Sequence, residues 1–269
     1  MLDTLPPELL YKVISLVPCR DLASLRLTCK YMRTFCDQPI VWKSIDLKPW
    51  REQELWKLTE LKNTIDLHLS HILSIRIWGV RDSIVQYLLN QCQNLQHLTI
   101  CGWTTLSDHC LRLLPSQSLK IKSLELIGSS QQTNFVSVDA YTLGNLLLHS
   151  PEMTNLVLGC EIHIHAETFI TELEKTSVSS DLQSFLLASR KTWLNEHVLR
   201  LINIYPEIQK IYLLPKASIE LGPMQGNNVD ALLHEKLKQI MNIVPLPLEV
   251  PLLSNEEFII YDKRFTACV

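Results

Sequence analysis

One short pattern constrains this chain more than any other feature: an apolar residue, two of any kind, an apolar residue, one of any kind, an apolar residue. It occurs at Ile72, Ile75 and Ile77; Leu95, Leu98 and Ile100; Ile121, Leu124 and Leu126; Met153, Leu156 and Leu158; Leu182, Phe185 and Leu187; and Ile208, Ile211 and Leu213. The starts lie 23, 26, 32, 29 and 26 residues apart. The end of each copy alternates as a half-buried strand does. Between copies there is room for one helix, and helices are predicted to begin near Asp82, Ser107, Asp139, Glu167 and Asn195, residue types that cap a helix start or match its dipole. A strand and a helix recurring at this period describe a solenoid, in which each unit buries its apolar edge against the next. The alternative is an irregular α/β domain whose leucines happen to align.

The clearest copy reads LQHLTICGWTTLSDHCLRLL. Its Leu95, Leu98, Ile100, Leu106, Ser107, Asp108, Leu111 and Leu114 resemble the cysteine-containing class of leucine-rich repeats, with Trp103 where that class has cysteine. Cys92-Gln-Asn-Leu95 and Tyr205-Pro-Glu-Ile208 stand where the class has Cys-Pro-x-Leu. In such a strand the pattern residues face the helices, and the residue between the last two faces the concave side. Those concave residues are Arg76, Thr99, Glu125, Val157, Leu186 and Tyr212, three polar or charged and then three apolar. An apolar patch at exposed positions marks a protein-binding surface, which makes Val157, Leu186 and Tyr212 the candidate substrate-binding residues. Two alternatives stay open: the chain's own tail covers this patch, or irregular strands bury it.

The chain's beginning poses a separate problem. LPPELLYKVISLVPCRDL, Leu5 to Leu22, places two prolines where a first helical turn tolerates missing amide donors, and Glu8 near the positive end of the helix dipole. A helix is predicted to run to Val17, and Leu9, Leu10, Val13, Ile14, Leu16 and Val17 cover more of its circumference than one packing face needs. Pro18 ends it, and Asp21 is expected to cap a second helical stretch from Leu22 into the thirties. There Arg26, Lys30 and Arg33 share one narrow side and apolar residues cover the rest. Two short helices cannot hide this surface in each other. The surplus must face the rest of the chain, another protein, or both.

Leu5-Pro6-x-Glu8-Leu9-Leu10-x-x-Val13, then Asp21-Leu22, Leu27-Thr28-Cys29-Lys30-x-Met32-Arg33 and Pro39-x-Val41-Trp42-x-x-Ile45-Asp46-Leu47 resemble an F-box in that family's order. Thr28 stands where the family usually has valine, and Met32 where it often has tryptophan. The resemblance implies a three-helix unit that docks onto the Skp adaptor, and through it a cullin, in SCF ubiquitin ligases. It implies Leu5, Pro6, Leu9, Leu10, Val13, Leu22 and Trp42 as adaptor contacts. The competing reading is a helical cap on one end of a larger core. Trp42-x-x-Ile45-x-Leu47 also reads as half a repeat, joining the two parts directly.

The rest of the sequence excludes more than it adds. A net charge of −3, with 46% hydrophobic and 20% charged residues, argues against both disorder and a general attraction to nucleic acid. No apolar run is long enough to span a bilayer and no signal peptide is evident, so the expectation is a cytoplasmic or nuclear chain. Its eight cysteines include no CxxC pair, which in a reducing compartment makes them small apolar residues. Cys160, His163 and His165 form the one metal-like cluster, without a fourth ligand in view. No GxSxG, phosphate-cradling glycine loop or HExxH is present. No cofactor is expected.

The expected organisation is an α/β chain: a three-helix F-box over 1–48, a short leucine-rich-repeat solenoid of alternating strands and helices over 49–214, and a cap or tail over 215–269. A helix near 229–243, an extended proline-containing stretch and a closing strand in FIIYDKRF are expected in that tail. The expected function is a non-catalytic substrate receptor that holds an unknown protein near a charged ubiquitin carrier. The rival is a repeat scaffold that sends nothing for degradation, and an α/β hydrolase is a distant third.

Overall fold

The computed structural model of the chain describes residues 5–47, 55–103, 109–112, 118–128, 139–162, 164–176, 181–189, 195–214 and 259–262. Four short helices come first: α1 (Pro7–Ser15), α2 (Cys19–Leu25), α3 (Lys30–Cys36) and α4 (Pro39–Trp42). The stretch expected as one helix from Leu22 onward is two, because Thr28 and Cys29 interrupt it. The Thr28 hydroxyl donates to the Leu25 carbonyl at 2.7 Å, and Cys29 is extended, its thiol accepting the Met32 amide at α3's start. Asp21 lies inside α2, whose N-cap is Pro18.

The sheet follows in one uninterrupted order. Strands β1 (Ser44–Leu47), β2 (Ser74–Trp78), β3 (His97–Trp103), β4 (Ser123–Gly128), β5 (Asn155–Ile162), β6 (Ser184–Ser189) and β7 (Lys210–Leu214) run parallel, each beside the next in sequence. The last strand, β8 (Ile259–Asp262), pairs antiparallel with β7, as expected of a closing strand. Between strands lie α5 (Leu58–Ile65) with a 3-10 helix (Asp66–His71), α6 (Asp82–Gln91), α7 (His109–Arg112), α8 (Ala140–His149), α9 (Ala166–Thr176) and α10 (Asn195–Ile204). The start expected at Ser107 lies outside the described residues. The expected helix over 229–243 lies outside them as well.

The repeat is visible atom by atom. One carbonyl just before each strand accepts two amides from the following unit: Lys43 from Leu73 and Ser74, Leu73 from Gln96 and His97, Gln96 from Lys122 and Ser123. The series continues with Lys122, Thr154 and Gln183, at 2.7–3.1 Å throughout. Each pattern residue also meets its counterpart in the next strand, Ile75 beside Leu98, Leu124, Leu156, Phe185 and Ile211. Identical placement lets each repeat bury the apolar edge of its neighbour.

At the ends of α6, α8 and α10, the amides of Leu95, Met153 and Ile208 donate to the carbonyls of Cys92, Ser150 and Tyr205. All six residues are buried. A continuous core runs from Leu10 and Trp42 in the N-terminal helices to Ile211 in β7.

Candidate functional site

Helix α1 has two apolar sides with opposite fates. Leu10 and Ile14 are buried, while Leu9, Val13 and Leu16, at spacings of four and three that align them along the helix, remain 47%, 41% and 84% exposed. Leu27, Tyr31 and Ile40 add exposed apolar area from the turn after α2, from α3 and from α4. Covering such side chains would remove apolar area from water.

The expected contact residues divide between the two sides. Pro6, Leu9 and Val13 are exposed, and Leu5 is partly buried against the core. Leu10, Leu22 and Trp42 are not surface residues: each is 3% exposed or less. Their expected direct contact is therefore corrected to support of the helices that present the others. Leu16, Leu27, Tyr31 and Ile40 were not among the expected contacts. The wide apolar arc of α1 already contained Leu16; nothing in sequence distinguished Tyr31 or Ile40 from core residues.

The helical unit is locked to the first repeat. The Trp42 ring stacks on His68, with centroids 3.9 Å apart and planes 10° from parallel, while its indole N–H donates to the Cys36 carbonyl at 2.6 Å. Arg26 grips both oxygens of Asp37 at 2.7 and 3.0 Å, holding that carboxyl below its usual range. His68 Nε2 lies 3.6 Å from Asp37. Burial dominates over that carboxylate, however, and lowers the imidazole pKa to about 4, so His68 is neutral at physiological pH. Arg20 pairs with Glu60 on α5 and lies 5.1 Å from the Trp56 ring. The Trp56 indole N–H in turn donates to the Leu47 carbonyl of β1 at 3.2 Å.

The sheet face away from the core carries a second candidate surface. One register row crosses it: Asp46, Arg76, Thr99, Glu125, Val157, Leu186, Tyr212 and Ile260. In its polar half, Thr99 donates to Glu125 at 3.2 Å, and Asn155, from the neighbouring register row, donates to Ser123 and Glu125. Val157 and Leu186 belong to the apolar half, yet they are only 7% and 2% exposed. They stand outside the continuous core that holds their neighbours Leu156, Leu158, Phe185 and Leu187. The expected open apolar patch is corrected at these two positions, because both are already covered. The Tyr212 side chain lies outside the described residues.

Among the described residues no group of three or more His, Cys, Asp or Glu side chains is placed to hold a metal. His163 and the Cys160 side chain fall outside them, and His165 is exposed. Burial pushes the Cys19 and Cys92 thiols up to about 12, which keeps both protonated and weakly nucleophilic. No helix among the described residues is long and apolar enough to cross a membrane.

The N-terminal helices make up an F-box-like domain by family match, and the registered strand-and-helix array behind them is of the leucine-rich-repeat kind. Residues 2–48 match the family model described as F-box-like. The chain is similar to F-box protein SKIP1 of Arabidopsis thaliana, 26% identical over an alignment of 136 residues covering 45% of this chain and 45% of that protein. It is also similar to F-box only protein 24 of Homo sapiens, 32% identical over 68 residues, 20% of this chain and 12% of that protein. The matches thus span less than half the length of these curated relatives. The leucine-rich repeat-containing protein LegL7 from Legionella pneumophila aligns over 73% of this chain and 91% of its own, with 15% identity and a TM-score of 0.23. The repeat assignment rests instead on this chain's own register and carbonyl ladder.

Proposed function

We propose that this chain is a substrate-recognition subunit of an SCF-type ubiquitin ligase. The helical unit, 1–48, binds a Skp-type adaptor and through it a cullin. The repeats, 49–214, bind a target protein, and 215–269 closes the array. The observation that carries the reading is the exposed stripe Leu9, Val13 and Leu16 on a helix whose other side is core, inside the segment that matches the F-box-like family. Leu5, Pro6, Leu9 and Val13, with Leu16, Leu27, Tyr31 and Ile40, supply the adaptor surface; Leu10, Leu22 and Trp42 hold it in shape. Val157, Leu186 and Tyr212 belong to the target-binding face, and the coverage of Val157 and Leu186 means that a target displaces what lies over these two or docks along the polar half of the same row.

No catalytic group is required of this chain in the cytoplasm or nucleus, because holding a lysine-bearing target beside a charged ubiquitin carrier raises its effective concentration. Copurification with a Skp-type adaptor, lost on replacing Leu9 and Val13 by lysine, tests the first half of the reading. A bound protein whose lifetime lengthens when this chain is deleted tests the second. A bound protein whose lifetime does not change identifies a scaffold instead.

A further inference from the structure

Among the exposed hydroxyls of the N-terminal helices, Thr28 has a distinct setting. Ser15, Ser24 and Thr34 lie within α1, α2 and α3, where the backbone is fully helical. Thr28 lies in the exposed turn between α2 and α3, followed by the extended residue Cys29. Its hydroxyl makes one local bond, to the Leu25 carbonyl at 2.7 Å. It neighbours Leu27 and Tyr31 in sequence, 69% and 39% exposed. Basic residues stand two before and two after it, Arg26 and Lys30. Arg26 is committed to Asp37 and Arg33 donates to the Arg26 carbonyl at 3.4 Å, whereas Lys30 is exposed at the start of α3.

We propose that Thr28 is a phosphorylation site for a protein kinase that reads basic flanking residues, and that phosphate there blocks adaptor docking. The proposal rests on the adaptor-binding reading above. In the transfer, the Thr28 hydroxyl oxygen attacks the γ-phosphorus of a nucleoside triphosphate and the bond to the β,γ-bridging oxygen breaks. The nucleoside diphosphate leaves, and the hydroxyl proton passes to the kinase's base. The product carries close to two negative charges among Leu27, Cys29 and Tyr31, where an apolar partner would have to strip their water. Lys30, exposed two residues on, is the nearby cation in sequence, and pairing with it would hold the phosphate at the surface instead of relieving that cost. Basic residues on both sides of the acceptor suit kinases that select substrates by charge.

The test uses the full chain with genetically encoded phosphothreonine at position 28, the unmodified chain, and Thr28→Val, each titrated with a purified Skp-type adaptor by calorimetry. The expected result is an affinity weaker by roughly thirty-fold or more for the phosphorylated chain than for the unmodified chain, with Thr28→Val, which cannot take phosphate, binding equally before and after kinase treatment. Hydrogen exchange over α1 to α3 is expected to be unchanged by the phosphate. Affinity within about threefold of the unmodified chain overturns the proposal, as does exchange showing that phosphate unfolds the turn instead of blocking a folded surface. Mass spectrometry of the chain isolated from cells is expected to find phosphate on Thr28 in the pool free of adaptor; its absence there overturns the assignment. Failure of the unmodified chain to bind the adaptor is a different outcome, which removes the adaptor reading itself and with it this site.

Discussion

Replacing Leu9 and Val13 together by lysine separates docking from folding. Both lie on the outer side of α1, and 47% and 41% of their surfaces remain in water. Full burial of such a side chain contributes about 1.5–3 kcal/mol, so covering what is left is worth roughly 1 kcal/mol each, about 2 kcal/mol for the pair. That corresponds to a loss of about thirty-fold in affinity, before the added cost of desolvating two ammonium groups. The same substitutions remove no core contact, and stability is expected to stay within about 0.5 kcal/mol per site. Leu10→Ala, one position along but fully buried, is the counterpart: it costs about 2–5 kcal/mol of stability while the folded fraction keeps its adaptor affinity. Calorimetric titration with the adaptor and urea unfolding measure the two quantities. The reasoning is refuted if the double variant binds within threefold of the parent, or if it unfolds as easily as Leu10→Ala.

Four further outcomes follow from particular contacts. Trp42→Phe removes the donor to the Cys36 carbonyl and is expected to lower stability by about 1–3 kcal/mol in urea titrations. Ser150 is fully buried, and its hydroxyl has no hydrogen-bond partner among the described residues. Ser150→Cys, the residue type at the equivalent Cys92, is therefore expected to raise the urea midpoint by an amount equivalent to about 1 kcal/mol or more. Gly144 lies inside α8 with space beside it, the nearest contact for an added Cβ being Glu172 Cβ at 3.7 Å, so Gly144→Ala is expected to stabilise by about 0.5–1 kcal/mol. For His68, an unfolded imidazole takes up a proton near its ordinary 6.5, whereas the folded one resists until about 4. Stability should therefore fall as pH drops through that window, by on the order of 2–3 kcal/mol at its lower end. His68→Phe keeps a ring against Trp42 without a titrating group, and unfolding series at pH 7 and pH 4.5 should show a smaller loss for it than for the parent.

The strands were legible because one pattern states their register six times, and each copy constrains its neighbours. Strands beginning at Ser74, His97, Ser123, Asn155, Ser184 and Lys210 all fall where the apolar spacing places them. The helix starts at Asp82 and Asn195, and the cap at Asp139, were equally readable. The break between α2 and α3 was not. It depends on a hydroxyl folding back on Leu25 and a thiol acting as a cap, and neither residue type announces that role. Which side of α1 is outer was also hidden, since Leu9 and Leu10 are chemically identical and only tertiary packing assigns them. Nothing near His68 in sequence marks it as the ring that meets Trp42, because the partners come from a helix and a 3-10 turn 26 residues apart.

The same geometry dissolves an opposition present in the sequence, between a helical cap for the repeats and a docking module. A solenoid needs its terminal apolar edge covered, and the helical unit provides that cover from its inner side. Trp42 and Leu22 enter the continuous core, and the Lys43 carbonyl begins the ladder that every later repeat continues. Those inward residues fix the helices, and fixing them exposes Leu9, Val13 and Leu16 along one line. Capping is therefore what sets out the stripe proposed to dock the adaptor. Because both sides belong to the same short helices, and β1 pairs directly with β2, the docking surface and the polar row from Asp46 to Glu125 are parts of one packed body. On the proposed function, a target held on that row would stand at a distance from the adaptor set by packing and not by a flexible linker, and lysines within reach of the ubiquitin carrier would be selected by where they fall relative to the target's docking segment.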